Sequence, residues 1–490
     1  MQIDIYPNQW KDIDLKRLDF LQSVIGSLPF IASLSIFLVL FGSIMQGCAN
    51  RTFDALSVAF AYFFIGSVAI TFIFKNKKQE LVVFMINYGI CIFAGGLAQS
   101  YSLHFFNNVQ STVDSFTFFS QISAEPPFTT LANLPNFNSP LAVLIWQQIY
   151  KFAWWLKLDF GVYIAVMFNA LIVGISGSIT INTAREIYGN DIWRLKRVSL
   201  LFSSCGLFIL FGSVLIRDCF TTFFNILVLW SIVNWIIHKT FRKLIFSISI
   251  TAISSYAMAY LRVEAVLLFG LYWVLALFVW LTSYRLNFSR LIILAISFCV
   301  VLLYTPYIIN FINLAQEIQS SGIESYSKFS VNASSEGSLG LKLIVNQPLP
   351  IRLLLGSVML LLFPIPLWAY FNINLQEIYW FCGYNGIYQI FVMPLVLSAI
   401  LFSIKAFRKS KINNAPLIYL TVYFIINLLA ITATSLEQRH FYQFMPSVII
   451  LSALPDTRDA MQNKIVRQFT KFWVLLVLLI HLLWVSIKVL

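Results

Sequence analysis

The sequence predicts an all-α polytopic integral membrane protein with about 12–14 transmembrane helices. Three observations carry that expectation. Hydrophobic residues make up 59% of the 490-residue chain and charged residues only 11%, against about 25% charged in an average soluble domain. The apolar residues fall into repeated runs close to the roughly 20 residues that cross a bilayer as a helix. Basic residues gather in short stretches between those runs, for example Lys75, Lys77 and Lys78, or Lys405, Arg408, Lys409 and Lys411. With 47 Phe, 21 Tyr and 13 Trp, a soluble core could not hide so much apolar area. A soluble enzyme, a disordered chain, a disulfide scaffold and a nucleic-acid binder are excluded.

The segment ahead of the first apolar run carries Asp4, Asp12, Asp14 and Asp19, unlike the short basic start of a cleavable signal. The run at 27–47 therefore reads as a retained helix. Further spans are expected at 56–74, 81–99, 160–183, 198–216, 219–237, 244–261, 263–281 and 291–312. Others follow near 387–404, 415–434, 441–454 and 470–488. Backbone groups facing lipid need internal hydrogen bonds, and no alternating barrel pattern appears, so each span is a helix. The stretch 141–158 is Trp-rich but interrupted by Gln147, Gln148, Lys151 and Lys157, which suits a helix lying in the interface. The six cysteines show no CxxC or metal-ligand spacing and read as small hydrophobes.

The net charge of +13 gains meaning from its position. Lys75–Glu80 is strongly basic and is expected to be cytoplasmic, which places the N-terminus inside. The loop at about 100–140 then lies outside, and it contains no Lys or Arg. The stretches with Arg185, Arg194, Lys196 and Arg197, then His238–Lys243, then Arg285–Arg290, all fall inside. The rule fails later if 353–371 is a simple span. A re-entrant hairpin broken at Phe363-Pro364-Ile365-Pro366 restores it and brings Arg458, Lys464 and Arg467 inside. Five segments result: a three-helix N-terminal part (1–99), an outward loop with its interfacial helix (100–158), and a central bundle (159–312). A second outward loop (313–352) and a C-terminal bundle with the re-entrant segment (353–490) complete the chain.

The ionisable groups at outward helix ends are then Asp114, Arg217, Asp218, Arg262, Glu264, Arg352, Glu437, Arg439 and His440. Several interrupt otherwise apolar sequence, where a charge is costly unless it faces a bundle interior or an aqueous cavity. Local alternatives stay open: Arg217-Asp218 as an ion pair at a turn, Arg262 and Glu264 as snorkelling hairpin ends, Asp114 as a solvated loop acid. Their gathering on one side points instead to a phosphorylated lipid ligand. Arg presents a planar fork to phosphate and stays charged, and a neighbouring carboxylate can take a proton from an acceptor hydroxyl. Leaving-group charge would be met by Arg, or by a divalent cation held by carboxylates.

The motif order strengthens this reading. Asp114-Ser115-Phe116-Thr117-Phe118-Phe119 precedes Asn138-Ser139-Pro140 and an interfacial helix, and Asn169 follows in a span. Next come Ala184-Arg185-Glu186-Ile187-Tyr188-Gly189, Leu215-Ile216-Arg217-Asp218 and Tyr260-Leu261-Arg262-Val263-Glu264-Ala265. Glu437-Gln438-Arg439-His440-Phe441 and Pro446 come late. Loosely over residues 100–454, the chain resembles the GT-C superfamily of polytopic glycosyltransferases that use polyprenyl-phosphate-linked sugars. It also resembles bacterial polymerases of O-antigen and exopolysaccharide repeat units.

The resemblance implies a GT-C-like fold, a bacterial inner-membrane location, and transfer of a sugar or oligosaccharide from a polyprenyl-(di)phosphate carrier to a glycan, lipid or protein acceptor. It implies Asp114 as catalytic base and Arg217, Arg262, Arg439 and His440 as donor-phosphate contacts. Asp218, Glu264, Glu437 and Arg352 would support them. The chain departs from single-sugar transferases in having two extra spans before Asp114, in lacking a paired acid in that loop, and in ending without a soluble domain. Repeat-unit polymerisation is therefore the alternative, and a lipid-linked glycan flippase is the second. Against a flippase, no internal repeat is evident and the charges lie at helix ends rather than mid-span.

Overall fold

In the computed structural model, the described residues are 28–75, 77–110, 112–124, 139–262, 264–282, 347–362, 365–409, 414–434 and 438–489. They are helical without a strand. The expected span at 291–312, nearly all of the second long loop, and Glu437 lie outside the described residues.

The N-terminal part comprises α1 (Leu28–Asn50), α2 (Asp54–Ile73) and α3 (Lys78–Phe106). Small residues let α1 and α3 cross closely: a Cβ on Gly42 would lie 2.5 Å from the Ile92 carbonyl oxygen, and one on Gly96 2.7 Å from that of Gly42. A ladder of amides seals the crossing. Gln46 Nε2 donates to Ile92 O at 2.9 Å, Gln99 Nε2 to Gln46 Oε1 at 3.3 Å, and Asn50 Nδ2 to Gln99 Oε1 at 2.7 Å. Small residues and interhelical amides are how helices associate where lipid removes the hydrophobic drive.

Two shorter helices follow, α4 (Val113–Ala124) and α5 (Pro140–Trp155). Proline stands at the first turn of α5, where its missing N–H costs nothing. One face of α5 buries Ala142, Val143, Trp146, Gln147, Tyr150 and Ala153, while Trp154 and Trp155 are exposed. That two-faced helix matches the expected character of 141–158.

The centre of the bundle is α6 (Tyr163–Tyr188), which packs against α3 and α9 (Asp218–His238). Among the spanning candidates these three are the most buried. Between α6 and α9 run α7 (Ile192–Ser203) and α8 (Gly206–Ser213). The chain then continues with α10 (Phe241–Ala259), α11 (Glu264–Thr282) and α12 (Leu349–Leu362). The last part holds α13 (Glu377–Lys409), α14 (Ala415–Thr434), α15 (Gln438–Tyr442), α16 (Met445–Ser452) and α17 (Ala460–Val489). Eight helices among the described residues are long and apolar enough to cross a membrane, or nine if the α7–α8 pair counts as one span. A polytopic membrane protein is the fold class.

Two expected spans take another form, and the segment expected to re-enter is divided. The single helix expected at 198–216 is bent by 56° between Ser203 and Gly206. Gly206 permits the break because its backbone abuts α13: a Cβ there would lie 2.9 Å from both Asn385 N and Phe381 O. The span expected at 441–454 is two short helices, α15 and α16, with Pro446 in the first turn of the second. The apolar stretch 353–371 forms α12, then a separate 3₁₀ turn at Leu367–Phe371. The 14 residues of α12 reach about 21 Å, short of the roughly 30 Å hydrocarbon core.

Candidate functional site

A polar cluster forms where four chain segments meet at one end of the bundle. It starts from Asn169, buried in the first half of α6. Its Nδ2 donates to Val214 O at 3.1 Å and to Ile216 O at 3.3 Å, while Trp146 Nε1 donates to its Oδ1 at 3.0 Å. Those bonds satisfy carbonyls of the non-helical backbone between α8 and α9, which would otherwise be stranded in an apolar bundle. They also fix the entry of Arg217, the residue capping α9.

Arg217 draws together two other junctions. Its Nη1 donates to Ser139 Oγ and reaches Leu261 O at 3.5 Å, and Ser139 Oγ donates to Leu261 O at 3.0 Å. Ser139 has φ +75°, a left-handed turn immediately ahead of Pro140. Leu141 N donates to Tyr260 O at 3.4 Å, so the starts of α5 and α9 and the α10–α11 turn form one knot. Arg262 lies in that turn, and its Nε is buried without a hydrogen-bond partner.

From the far end of the sequence, α15 delivers Arg439 and His440. Arg439 Nη1 pairs with Asp114 Oδ2, with Asp114 on the first turn of α4. His440 is buried, and its pKa is pushed well below the ordinary 6.5, first by desolvation and then by the charges of Arg262, Arg439 and Arg217. Burial thus favours the neutral imidazole, and the three arginine charges act in the same sense. Asp218 is buried at the N-terminus of α9, where helix-dipole charge favours a carboxylate. Its Oδ1 accepts from Gln443 Nε2 at 2.8 Å.

Of the nine expected site residues, Asp114 and Arg439 are joined by an ion pair, and the charges of Arg217, Arg262 and Arg439 all bear on His440. Asp218 joins through Gln443, which follows Arg439 by one helical turn. Arg352 Nε donates to Thr432 O at 3.3 Å, near the end of α14. Glu264 begins α11, two residues past Arg262. Aromatic packing ties the two acid-bearing helices together, with the Trp146 ring 5.3 Å from Phe118 on α4 and 5.4 Å from Phe220 on α9.

A second acid stands close to the start of α4, and sequence reasoning missed it. Glu377 is buried, accepting from Thr112 Oγ1 at 2.7 Å and from Ser102 Oγ at 3.5 Å. Thr112 is two residues from Asp114, so this carboxylate anchors the segment that presents Asp114. Its sequence setting, Asn374-Leu375-Gln376-Glu377, reads as an ordinary polar loop, and only the tertiary fold buries it. Among the described residues, no three His, Cys, Asp or Glu side chains group in a way that could hold a metal ion.

No family model, curated protein or solved structure matches the chain. What the site does must be argued from its residues.

Proposed function

We propose that this protein is a membrane glycosyltransferase that moves a sugar or oligosaccharide from a polyprenyl-phosphate or polyprenyl-diphosphate carrier to an acceptor hydroxyl, on the non-cytoplasmic face. One observation carries the reading: Arg439 pairs with Asp114, while Arg217 ties the start of α5 to the turn that holds Arg262. The planar, permanently charged guanidinium groups gathered there suit a phosphorylated ligand.

In the proposed reaction, Asp114 accepts the proton of the acceptor hydroxyl. That oxygen bonds to the anomeric carbon as the bond from carbon to phosphate oxygen breaks, and the electron pair leaves on phosphate. The arginines neutralise the charge that develops there. The Asp114–Arg439 pair suits a resting state. Its side chains are 44% and 26% exposed, so it contributes only about 0–1 kcal/mol. An arriving phosphate can draw Arg439 away and leave Asp114 able to act as base.

Unpartnered buried groups add support. Ser115 Oγ, both amide atoms of Gln147, and Thr222 Oγ1 have no hydrogen-bond partner. They lie on α4, α5 and α9, the helices that carry Asp114, Trp146 and Asp218. Such groups are costly to bury, and hydroxyl-rich sugars offer them partners.

The test is product sizing with purified protein and synthetic polyprenyl-phosphate and polyprenyl-diphosphate sugar donors. A single added unit identifies a transferase, and a ladder identifies the repeat-unit polymerase. Asp114→Asn should abolish transfer while leaving the protein monodisperse. Unchanged product length and yield in that variant would remove Asp114 from the chemistry and sink the proposal.

A further inference from the structure

The opposite end of the bundle carries a second cationic feature, unrelated to the chemistry proposed above. The 26 residues of α6 extend about 39 Å. Asn169 near its start binds the Arg217 segment, and Tyr188 at its end donates to Ile450 O at 2.8 Å. Arg194, at the start of α7, lies by that far end, its guanidinium carbon 5.1 Å from the Tyr188 ring centroid. There the start of α7, the end of α13 and the start of α17 enclose a cavity of about 570 Å³. Its polar lining is Arg194, Lys405 and Gln462, and its apolar walls include Leu454, Met461 and Ile465. The volume falls within the roughly 300–1,000 Å³ typical of small-molecule sites.

The charges around this cavity are unequally committed. Arg458 makes two hydrogen bonds to Asp456, at 2.9 and 2.8 Å, and holds that carboxyl down at about 2, so the two cancel. Arg197 Nη1 donates to Pro455 O at 2.7 Å. Arg194 differs: its Nε is buried without a hydrogen bond and stands 3.6 Å from Asp191 Oδ2. That carboxylate already caps α7 by accepting from Trp193 N and Arg194 N. Lys405 forms no ion pair with any described residue and is exposed. Two cations with unused donors thus face an otherwise apolar recess.

The surroundings define the occupant. Met461 lines the cavity and is exposed; the next turns of α17 expose Lys464, Arg467, Gln468 and Lys471, and from Phe472 onward the exposed residues include Leu475, Leu478, Leu479 and Leu482. A row of exposed apolar side chains on a membrane-spanning helix faces acyl chains. The cavity therefore lies at the charged end of α17, at the level of head groups, and the lipid-facing row of that helix begins about three turns away. Basic pockets between helices at this depth hold anionic head groups.

We propose that this cavity binds the phosphodiester head group of an anionic membrane phospholipid, with Arg194 and Lys405 on the phosphate and the acyl chains along α17.

The test uses full-length protein purified in neutral detergent and exposed to equal amounts of phosphatidylglycerol and phosphatidylcholine with identical acyl chains. Bound lipid is counted by native mass spectrometry. Two surface cations predict about a thirtyfold preference for the anionic lipid. The double substitution R194Q/K405Q should abolish that preference, and R194K/K405R should retain most of it. Equal retention of both lipids by the unsubstituted protein would overturn the proposal. So would loss of preference in the charge-conserving variant as complete as in the neutral one. Displacement of the lipid by millimolar inorganic phosphate would identify a soluble-anion site instead, and would also overturn it.

Discussion

Replacing Arg439 by glutamine separates a structural role from a functional one. In the resting protein Arg439 pairs with Asp114, but their side chains are 26% and 44% exposed. Water screens such a pair, so removing it should cost less than about 1 kcal/mol. For a chain of this size, that shifts the melting temperature by about 1 °C or less. With donor bound, the same guanidinium would make a charge-assisted bond to phosphate, worth about 1.5–3 kcal/mol. Its loss corresponds to about a 10- to 150-fold fall in kcat/KM. Lysine at this position keeps the charge but not the planar fork, so R439K should fall between. The assay pairs initial rates on a polyprenyl-linked donor with thermal unfolding in the same detergent. Unchanged kcat/KM in R439Q would refute the assignment of Arg439 to the donor. A thermal loss as large as that of a core lesion would show that Arg439 holds the fold rather than the ligand.

Two further outcomes follow from the packing. His440 is neutral when folded because burial, then Arg262, Arg439 and Arg217, depress its pKa well below 6.5. The unfolded chain takes up a proton near 6.5 that the folded chain does not. Its contribution to stability is therefore complete above that pH and is lost as pH falls, by up to about 1.4 kcal/mol per unit. Thermal unfolding followed from pH 7 to 5 should show this slope, and H440Q should flatten it; parallel slopes would contradict the buried neutral imidazole. At the other end of α6, the fully buried Glu80 carboxylate accepts from Arg185 Nε at 2.8 Å and Nη2 at 2.7 Å. Glu80→Ala strands that guanidinium and should cost about 3–5 kcal/mol, read as a large drop in melting temperature and in monodisperse yield.

Much of the fold could be read locally. The helices Leu28–Asn50, Asp54–Ile73 and Lys78–Phe106 lie where unbroken apolar runs place them, because transfer into lipid adds up residue by residue. The bend at Ser204-Cys205 could not be read that way, since the small residues Ser203-Ser204-Cys205-Gly206 are as compatible with a continuous helix as with a break. It depends on Gly206 meeting the α13 backbone, a contact between segments distant in the chain. Gln443 and Glu377 stayed hidden for a related reason. Neither has a distinctive neighbourhood in sequence, and each acquires meaning only from the partner across the bundle, Asp218 for one and Thr112 for the other.

By itself the sequence determined that this is a helical membrane protein and which polar residues stand at helix ends. Both properties depend on composition and on the order of apolar runs. Tertiary structure alone decided which of those residues meet. Asp114 and Arg439 are 325 positions apart yet form an ion pair, and Arg217 reaches Ser139 and Leu261 across two other junctions. Arg352, alike in charge, meets the Thr432 carbonyl on α14. The physical reason is common to all of them. A polar group in an apolar bundle is stabilised by whatever partner another helix presents, and that choice is made by packing rather than by neighbours in the chain.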